Sequence, residues 1–353
     1  MTVGFFKKPD PLDQKLFNWP SGDAFTKRHL MQSVAIMGQI GSGKSSGSGL
    51  RLARTILKMP SGGLILASKP EDREWWKQRF QEAGRSKDLI VFAEDTPARC
   101  NFIDYEMKSG GDARSLTQFL TVTGEVLDSG SGRSNEQFWK KSEERILYNC
   151  ISALMQGNAG VDAPKIQKFI TTAAYKPETL ADDKWQAQFH NQVLKAAYER
   201  KKTRMEQADY DLFYNFWLTE FPQMDDKPRS SILAGVNNTL HVYNSGIVRE
   251  KISTETTTTP DDLKKGKYWL LDYPVHQYDA SGKFLMTAAK FMSQKMILRR
   301  KADPGDIPII IYSDECQNVI NSFDAVFLAE SRSHLGAMIY LTQSIHSFFN
   351  AMG

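Results

Sequence analysis

Gly38-Gln39-Ile40-Gly41-Ser42-Gly43-Lys44-Ser45 meets the spacing G-x-x-x-x-G-K-[ST] at every fixed position. The chemistry of that spacing is phosphate binding. Gly38, Gly41 and Gly43 let the backbone wrap so that successive N–H groups face phosphate oxygens, and a helix beginning at the end of the loop adds partial positive charge. In such a loop Lys44 bridges the β- and γ-phosphates and the Ser45 hydroxyl ligates Mg²⁺. Ser42 and Ser46 complete the expected nucleotide-binding set.

A phosphate loop needs a second strand that ends in a carboxylate. Ile309-Ile310-Ile311-Tyr312-Ser313-Asp314-Glu315 supplies one. Asp314 is expected to hold Mg²⁺ through its water shell, and Glu315 to orient and polarise an attacking water, because phosphoryl transfer depends mainly on positioning and electrostatics. The Asp-Glu pair points to an ATP-hydrolysing motor more than to a small GTPase, and no Asn-Lys-x-Asp guanine-reading motif is present. ATP and Mg²⁺ are therefore the expected ligands. Gln343 follows the apolar run Met338–Leu341, where a neighbouring strand presents a polar side chain to the γ-phosphate, or it is an ordinary exposed glutamine. Arg332 either reaches a neighbouring subunit's nucleotide as an arginine finger or is a solvated charge at a helix end.

The elements that must position these groups alternate. Strands are predicted at 33–37, 63–67 and 89–93, with helices over 50–57 and 72–83 between them, a spacing that argues for a parallel α/β sheet. From about 115 to 224 only helical stretches are predicted: 138–155, 166–174, 180–204 and 210–221, separated by breaks such as Ser129-Gly-Ser-Gly-Arg133 and Gly157–Gly160. Alternation returns with a strand over 268–272, a helix over 282–300 and strands at 307–312 and 337–341. The expected parse is an α/β nucleotide-binding domain in two parts, 1–110 and 237–353, interrupted by an all-α insertion at 111–236. Residues 1–32 read as an extended lead-in.

Composition bounds the function classes. The 353 residues carry 45 Lys+Arg against 41 Asp+Glu, so a net charge of +4 cannot by itself identify a nucleic-acid binder. With 41% hydrophobic residues the chain can bury a core, which excludes wholesale disorder. The longest apolar runs fall far short of the ~20 residues that cross a bilayer, and no signal segment is expected at the start. Three widely spaced cysteines, Cys100, Cys150 and Cys316, read as reduced thiols of a cytosolic protein, not a disulfide frame or zinc site.

Taken in order, these segments resemble the TraG/TraD-type coupling-protein ATPases of type IV secretion and conjugation, within the HerA/FtsK clan of RecA-like motors. Lys69 and Glu71 stand where that family has D-P-K-G-E, and Asn101-Phe102-Ile103-Asp104 where it has N-P-L-D. Gln137-Phe138-Trp139 resembles the entry to its all-helical domain, and Tyr268–Pro274 its strand-then-proline segment. Asp314-Glu315, Arg332 and Leu341-Thr342-Gln343-Ser344 complete the order. Ala67-Ser68 replace the family's Asp-Pro, so no role of that Asp is carried over.

The resemblance implies a RecA-like P-loop domain and a homo-oligomer, a hexamer, that moves DNA or nucleoprotein. It also implies secretion-machinery or relaxase-type partners; the chain is expected to be cytoplasmic, or peripheral at the inner face of the cell membrane, and to lack the N-terminal membrane anchor that coupling proteins commonly have. Basic clusters at 140–141, 195–204, 264–267 and 295–301 fit sequence-indifferent contact with a DNA backbone, or are solvated helix faces. Trp185, Phe189, Tyr210, Phe213, Tyr214, Phe216 and Trp217 are expected in a helical core. Two rival readings are a HerA-like motor for DNA processing or defence, and an ATP-gated adaptor that recruits secretion substrates.

Overall fold

The computed structural model describes residues 10–39, 41–128, 136–303 and 305–346. Ile40 and the Gly/Ser break at 129–133 lie outside them. The chain divides into two compact units, Met1–Ala98 with Thr258–Gly353, and Arg99–Thr257.

The first unit is built on six parallel strands: β3 (Val34–Met37), β4 (Gly62–Ala67), β5 (Leu89–Phe92), β6 (Tyr268–Asp272), β7 (Ile309–Ser313) and β8 (Gly336–Thr342). Their order across the sheet is β3-β8-β7-β4-β6-β5. A parallel sheet covered on both faces needs strands that are apolar throughout, and β4, β7 and β8 are buried at every position. Alternate residues serve opposite faces. Ile65, Leu270, Ile310, Tyr312, Ile339 and Leu341 pack with Leu52, Ile56, Trp76 and Phe80 of the helices Leu50–Lys58 and Asp72–Glu82. The helix Val275–Arg299 serves the other face, where Gln294 reaches the Met338 sulfur.

The expected lead-in is corrected from residue 15 onward. Two short antiparallel strands, β1 (Lys15–Asn18) and β2 (Ala24–Thr26), form a hairpin. Phe17 stacks on Phe25 with ring centroids 4.9 Å apart, Trp19 packs edge-on to Phe17, and these rings join the core under the sheet. So short a hairpin shows no periodicity; its apolar surface belongs to the core beside it.

Among the described residues, the regular elements of the second unit are all helices. Its entering and leaving segments bond to each other: Arg99 N donates to Thr257 Oγ1 at 2.9 Å, Thr257 N to the Arg99 carbonyl at 3.0 Å, and Cys100 N to the Lys251 carbonyl at 2.9 Å. This neck sets the unit at 99–257, wider at both ends than the expected 111–236. Four helices within it escape the predicted stretches: Phe102–Lys108, Ala113–Asp128, Asp226–Tyr243 and Gly246–Ile252. The long helix predicted over 180–204 is broken. One helix ends at Glu199, and Thr203 opens the next in a capping box with Glu206.

Most of the aromatic set is core, as expected. Trp217 is fully buried among Phe169, His190 and Phe221, whereas Tyr214 remains 42% exposed. His190 stacks on Phe169 at 4.0 Å, its Nδ1–H donates to the Phe169 carbonyl at 2.9 Å, and burial lowers its pKa from 6.5 to about 4. Above pH 6.5 the ring is neutral in both folded and unfolded chains. As pH falls toward 4 only the unfolded chain takes up the proton, so His190 should remove stability progressively, by roughly 3 kcal/mol at the acid end of this window. Urea denaturation between pH 7 and 4 should show this component in the parent and lack it in His190→Asn. An identical pH slope in the two proteins contradicts the assignment.

Candidate functional site

Because the six strands are parallel, their C-terminal ends lie along one edge, and four of them carry the side chains of interest. β3 runs into the glycine loop, β7 into Asp314-Glu315, β8 into Gln343, and β4 into Ser68-Lys69. β8 lies between β3 and β7, and β4 lies on the far side of β7. The register Met37↔Thr342, with Ser313 paired to Tyr340 and to Leu66, fixes their heights relative to one another.

Gly41 and Gly43 take φ of +78° and +81°, the left-handed region open to glycine at no cost. The Lys44 ammonium donates to the Gly38 carbonyl at 2.5 Å and the Gln39 carbonyl at 3.1 Å, folding back over its own loop. The helix after the loop begins as a π-type turn, Ser45–Gly49, in which Gly49 N donates to the Lys44 carbonyl at 2.7 Å. Gly49 is buried against β7 and β8. A Cβ there would lie 2.7 Å from the Lys44 carbonyl oxygen, 2.8 Å from the Tyr312 hydroxyl and 2.9 Å from Leu341 Cδ2.

The loop meets the carboxylate strand directly, since Ser45 Oγ donates to Asp314 Oδ2 at 2.9 Å. Asp314 is only 8% exposed, and its second oxygen accepts the Glu315 N–H at 2.9 Å. Glu315 takes a left-handed backbone (φ 47°, ψ 48°), unusual for a residue with a side chain and of a kind that gathers at functional sites. Its carboxylate is held by Gln317 Nε2 at 2.6 Å and Gln343 Nε2 at 3.1 Å, and Thr342 Oγ1 in turn donates to Gln317 Oε1 at 2.9 Å. Glu315, Gln317 and Gln343 rim a cavity of about 610 Å³ that also takes in Gly41–Ser46, Ser68, Lys69 and His276.

Three of the groups at this edge gave no chemical signal in the sequence. Gln317 is an ordinary glutamine until the turn after Glu315 folds it back. Ser68 Oγ donates to the Asp314 carbonyl at 2.6 Å, and the N–H groups of Ser68 and Lys69 donate to Asp72 Oδ2 at 2.9 and 3.0 Å. Burial pushes Asp72 up to about 6, against those two bonds and helped by the nearby Asp314 charge. For Lys69, whose ammonium is 3.6 Å from Asp314 Oδ2, desolvation is outweighed by Asp314, Asp72 and Glu315, which raise its pKa. Lys69 was legible only as a loose likeness to D-P-K-G-E, and its pairing with Asp314 and Asp72 was not.

Arg332 lies elsewhere. It sits in the turn Ser331–His334, ahead of Gly336 at the start of β8, and so at the opposite edge of the sheet from the glycine loop. There it lines a separate cavity of about 730 Å³ together with Asp10, Lys27, Glu330 and His334. The remaining expected residues, Gly38, Gly41, Ser42, Gly43, Lys44, Ser45, Ser46, Asp314, Glu315 and Gln343, are brought to one place. The arrangement could hold a polyphosphate against the loop, a divalent ion between Ser45 and Asp314, and a water beside Glu315.

No known protein-family model and no curated protein matches the sequence. Solved structures do match the fold. The unbound monoclinic form of the bacterial conjugative coupling protein TrwBdeltaN70 aligns with TM-score 0.60 at 13% identity, covering 96% of this chain and 68% of that one. The plasmid coupling protein TrwB in complex with the non-hydrolysable ATP analogue ADPNP aligns with TM-score 0.60 at 14% identity, covering 97% and 71%. The same protein with ADP and Mg²⁺ gives TM-score 0.59 at 14% identity and the same coverage. The RecA-like α/β fold with its helical insertion, and the likeness to coupling proteins, are thus borne out by structure.

The packing at Gly49 makes a direct test of how this site is held. We expect Gly49→Ala to cost about 1–3 kcal/mol in urea denaturation, because a methyl group is forced between two rigid strands. Gly47→Ala, where nothing lies within 4 Å of the added carbon, should be neutral or stabilising. Equal effects at the two positions would contradict the described turn.

Proposed function

We propose that this chain, which carries the fold of the conjugative coupling proteins, binds ATP with Mg²⁺ and hydrolyses it as one subunit of a ring-shaped motor that moves DNA. The observation that carries the reading is the Ser45–Asp314 contact of 2.9 Å, made at a strand edge where Lys44, Glu315 and Gln343 line the same cavity. The ATP analogue and the ADP–Mg²⁺ pair in the TrwB structures support the choice of ligand.

Each side chain then has a physical task. The loop N–H groups and Lys44 neutralise phosphate charge, with Lys44 exchanging its two carbonyl partners for phosphate oxygens. Ser45 and Asp314 hold the magnesium, which supplies positive charge to the β- and γ-phosphate oxygens when bound. Glu315, its oxygens fixed by Gln317 and Gln343, orients and polarises the water that attacks. In this reading Arg332 acts on a neighbour, because its place at the opposite edge keeps it from its own subunit's loop. A head-to-tail ring brings the two edges together.

DNA contact finds its support in the helical unit. The cluster 264–267 is paired internally, Lys264 with Asp261, Lys265 with Asp262 and Lys267 with Asp88, and Arg300 is spent on the carbonyls of His334, Leu335 and Ile307. At 195–204, by contrast, Lys195, Lys201 and Arg204 are exposed beside Tyr198, which is 71% exposed. No described helix is long and apolar enough to cross a membrane.

Two sets of measurements test the reading. Lys44→Ala should weaken ATP binding and turnover at least about 100-fold, whereas Glu315→Gln should lose a similar factor in kcat and keep its affinity. Undiminished turnover in either variant contradicts the assignment. DNA should stimulate turnover in the parent and lose its effect as salt rises, as backbone contacts require. Arg332→Ala should remove the oligomer-dependent part of turnover and spare ATP binding; parallel loss of both rules out action on a neighbour.

A further inference from the structure

We infer that Lys69 is a mobile cation of this site, resting on the magnesium-binding carboxylate and turning to the terminal phosphate when Mg²⁺–ATP binds; the inference rests on the nucleotide reading above. Its ammonium lies 3.6 Å from Asp314 Oδ2, the same oxygen that accepts the Ser45 hydroxyl at 2.9 Å. A divalent ion held by Ser45 and, through its water shell, by Asp314 would place its charge beside that oxygen. At such a distance two cations repel, and the one on a flexible stem gives way.

The loop is built to let the ammonium move while its backbone stays. Ser68 Oγ is bonded to the Asp314 carbonyl, and the N–H groups of Ser68 and Lys69 are both bonded to Asp72. These contacts fix the root of the side chain. The Lys69 side chain itself is 41% exposed and borders the cavity shared with Lys44, Glu315 and Gln343. Once displaced from Asp314, the ammonium keeps the charges of Asp72 and Glu315 nearby, and a phosphate lying along the glycine loop would add a new anion within the same cavity. Lys69 enters the cavity from β4, across Asp314 from the loop, so the phosphate it meets is the terminal one. It thus supplies a cation from within the subunit, which Arg332 at the opposite edge cannot do for its own site. A positive charge there stabilises the charge that spreads over the transferred phosphoryl oxygens.

Binding, read without turnover, separates this from a fixed structural role. Affinities of the full chain for Mg²⁺–ADP and for the Mg²⁺ complex of β,γ-imido-ATP are measured by calorimetry in the parent, Lys69→Met and Lys69→Arg. Lys69→Met should bind Mg²⁺–ADP within about twofold of the parent, and the triphosphate analogue about tenfold more weakly. The Mg²⁺ concentration that half-saturates ADP binding should fall in Lys69→Met, because a competing cation is gone. Lys69→Arg should keep the preference for the triphosphate and shows that the loop still folds. A parent-like ratio of the two affinities in Lys69→Met overturns the inference, as does equal loss of both nucleotides. A parent that binds neither nucleotide overturns the site reading itself, and this inference with it.

Discussion

A serine hydroxyl and an aspartate carboxylate 269 positions apart in sequence lie 2.9 Å from one another, and the whole first unit is arranged to keep them there. Parallel pairing forces every strand to end at the same edge, so loops from distant parts of the chain converge without any contact being made between their sequences. The cost is that each return needs a crossover, and the crossovers here are the helices that bury the sheet. Core packing and site geometry are therefore one constraint. Gly49 shows this most directly, because the turn carrying Ser45 is seated against Tyr312 of β7 and Leu341 of β8.

The same constraint explains how the chain accommodates a helical unit of 159 residues, Arg99–Thr257, without disturbing the sheet. Entry and exit of that unit are bonded to each other at Arg99 and Thr257, so it is tied off at a short neck and folds around its own core of Trp217, Phe169 and His190. Insertions closed in this way cost the host fold little, because loop-closure entropy rises only slowly with loop length.

Much of the site was legible in the sequence because its physics is local. The glycine loop needs fixed spacing, and an apolar run ending in Asp-Glu reads the same in sequence and structure. What stayed hidden depends on neighbours. Gln317 and Ser68 become informative only when β8 and β4 flank β7, an order that strand spacing alone does not give. The hairpin at 15–26 was missed because its aromatics answer to the core beside them, and the break after Glu199 because Thr203 caps a new helix within a run of good helix formers. Arg332 could be named from its position in the chain, but only the sheet shows that it lies at the opposite edge from its own loop.

The central claim is that Ser45 and Asp314 act as one unit in holding a metal-bound nucleotide. A double-mutant cycle of Ser45→Ala and Asp314→Asn, read as the gain in ATP affinity on adding Mg²⁺, tests it most directly. The account predicts that each change alone removes most of that gain and that the pair removes little more, a coupling of about 1–3 kcal/mol. Losses that simply add, or a gain from Mg²⁺ that survives both changes, would contradict it.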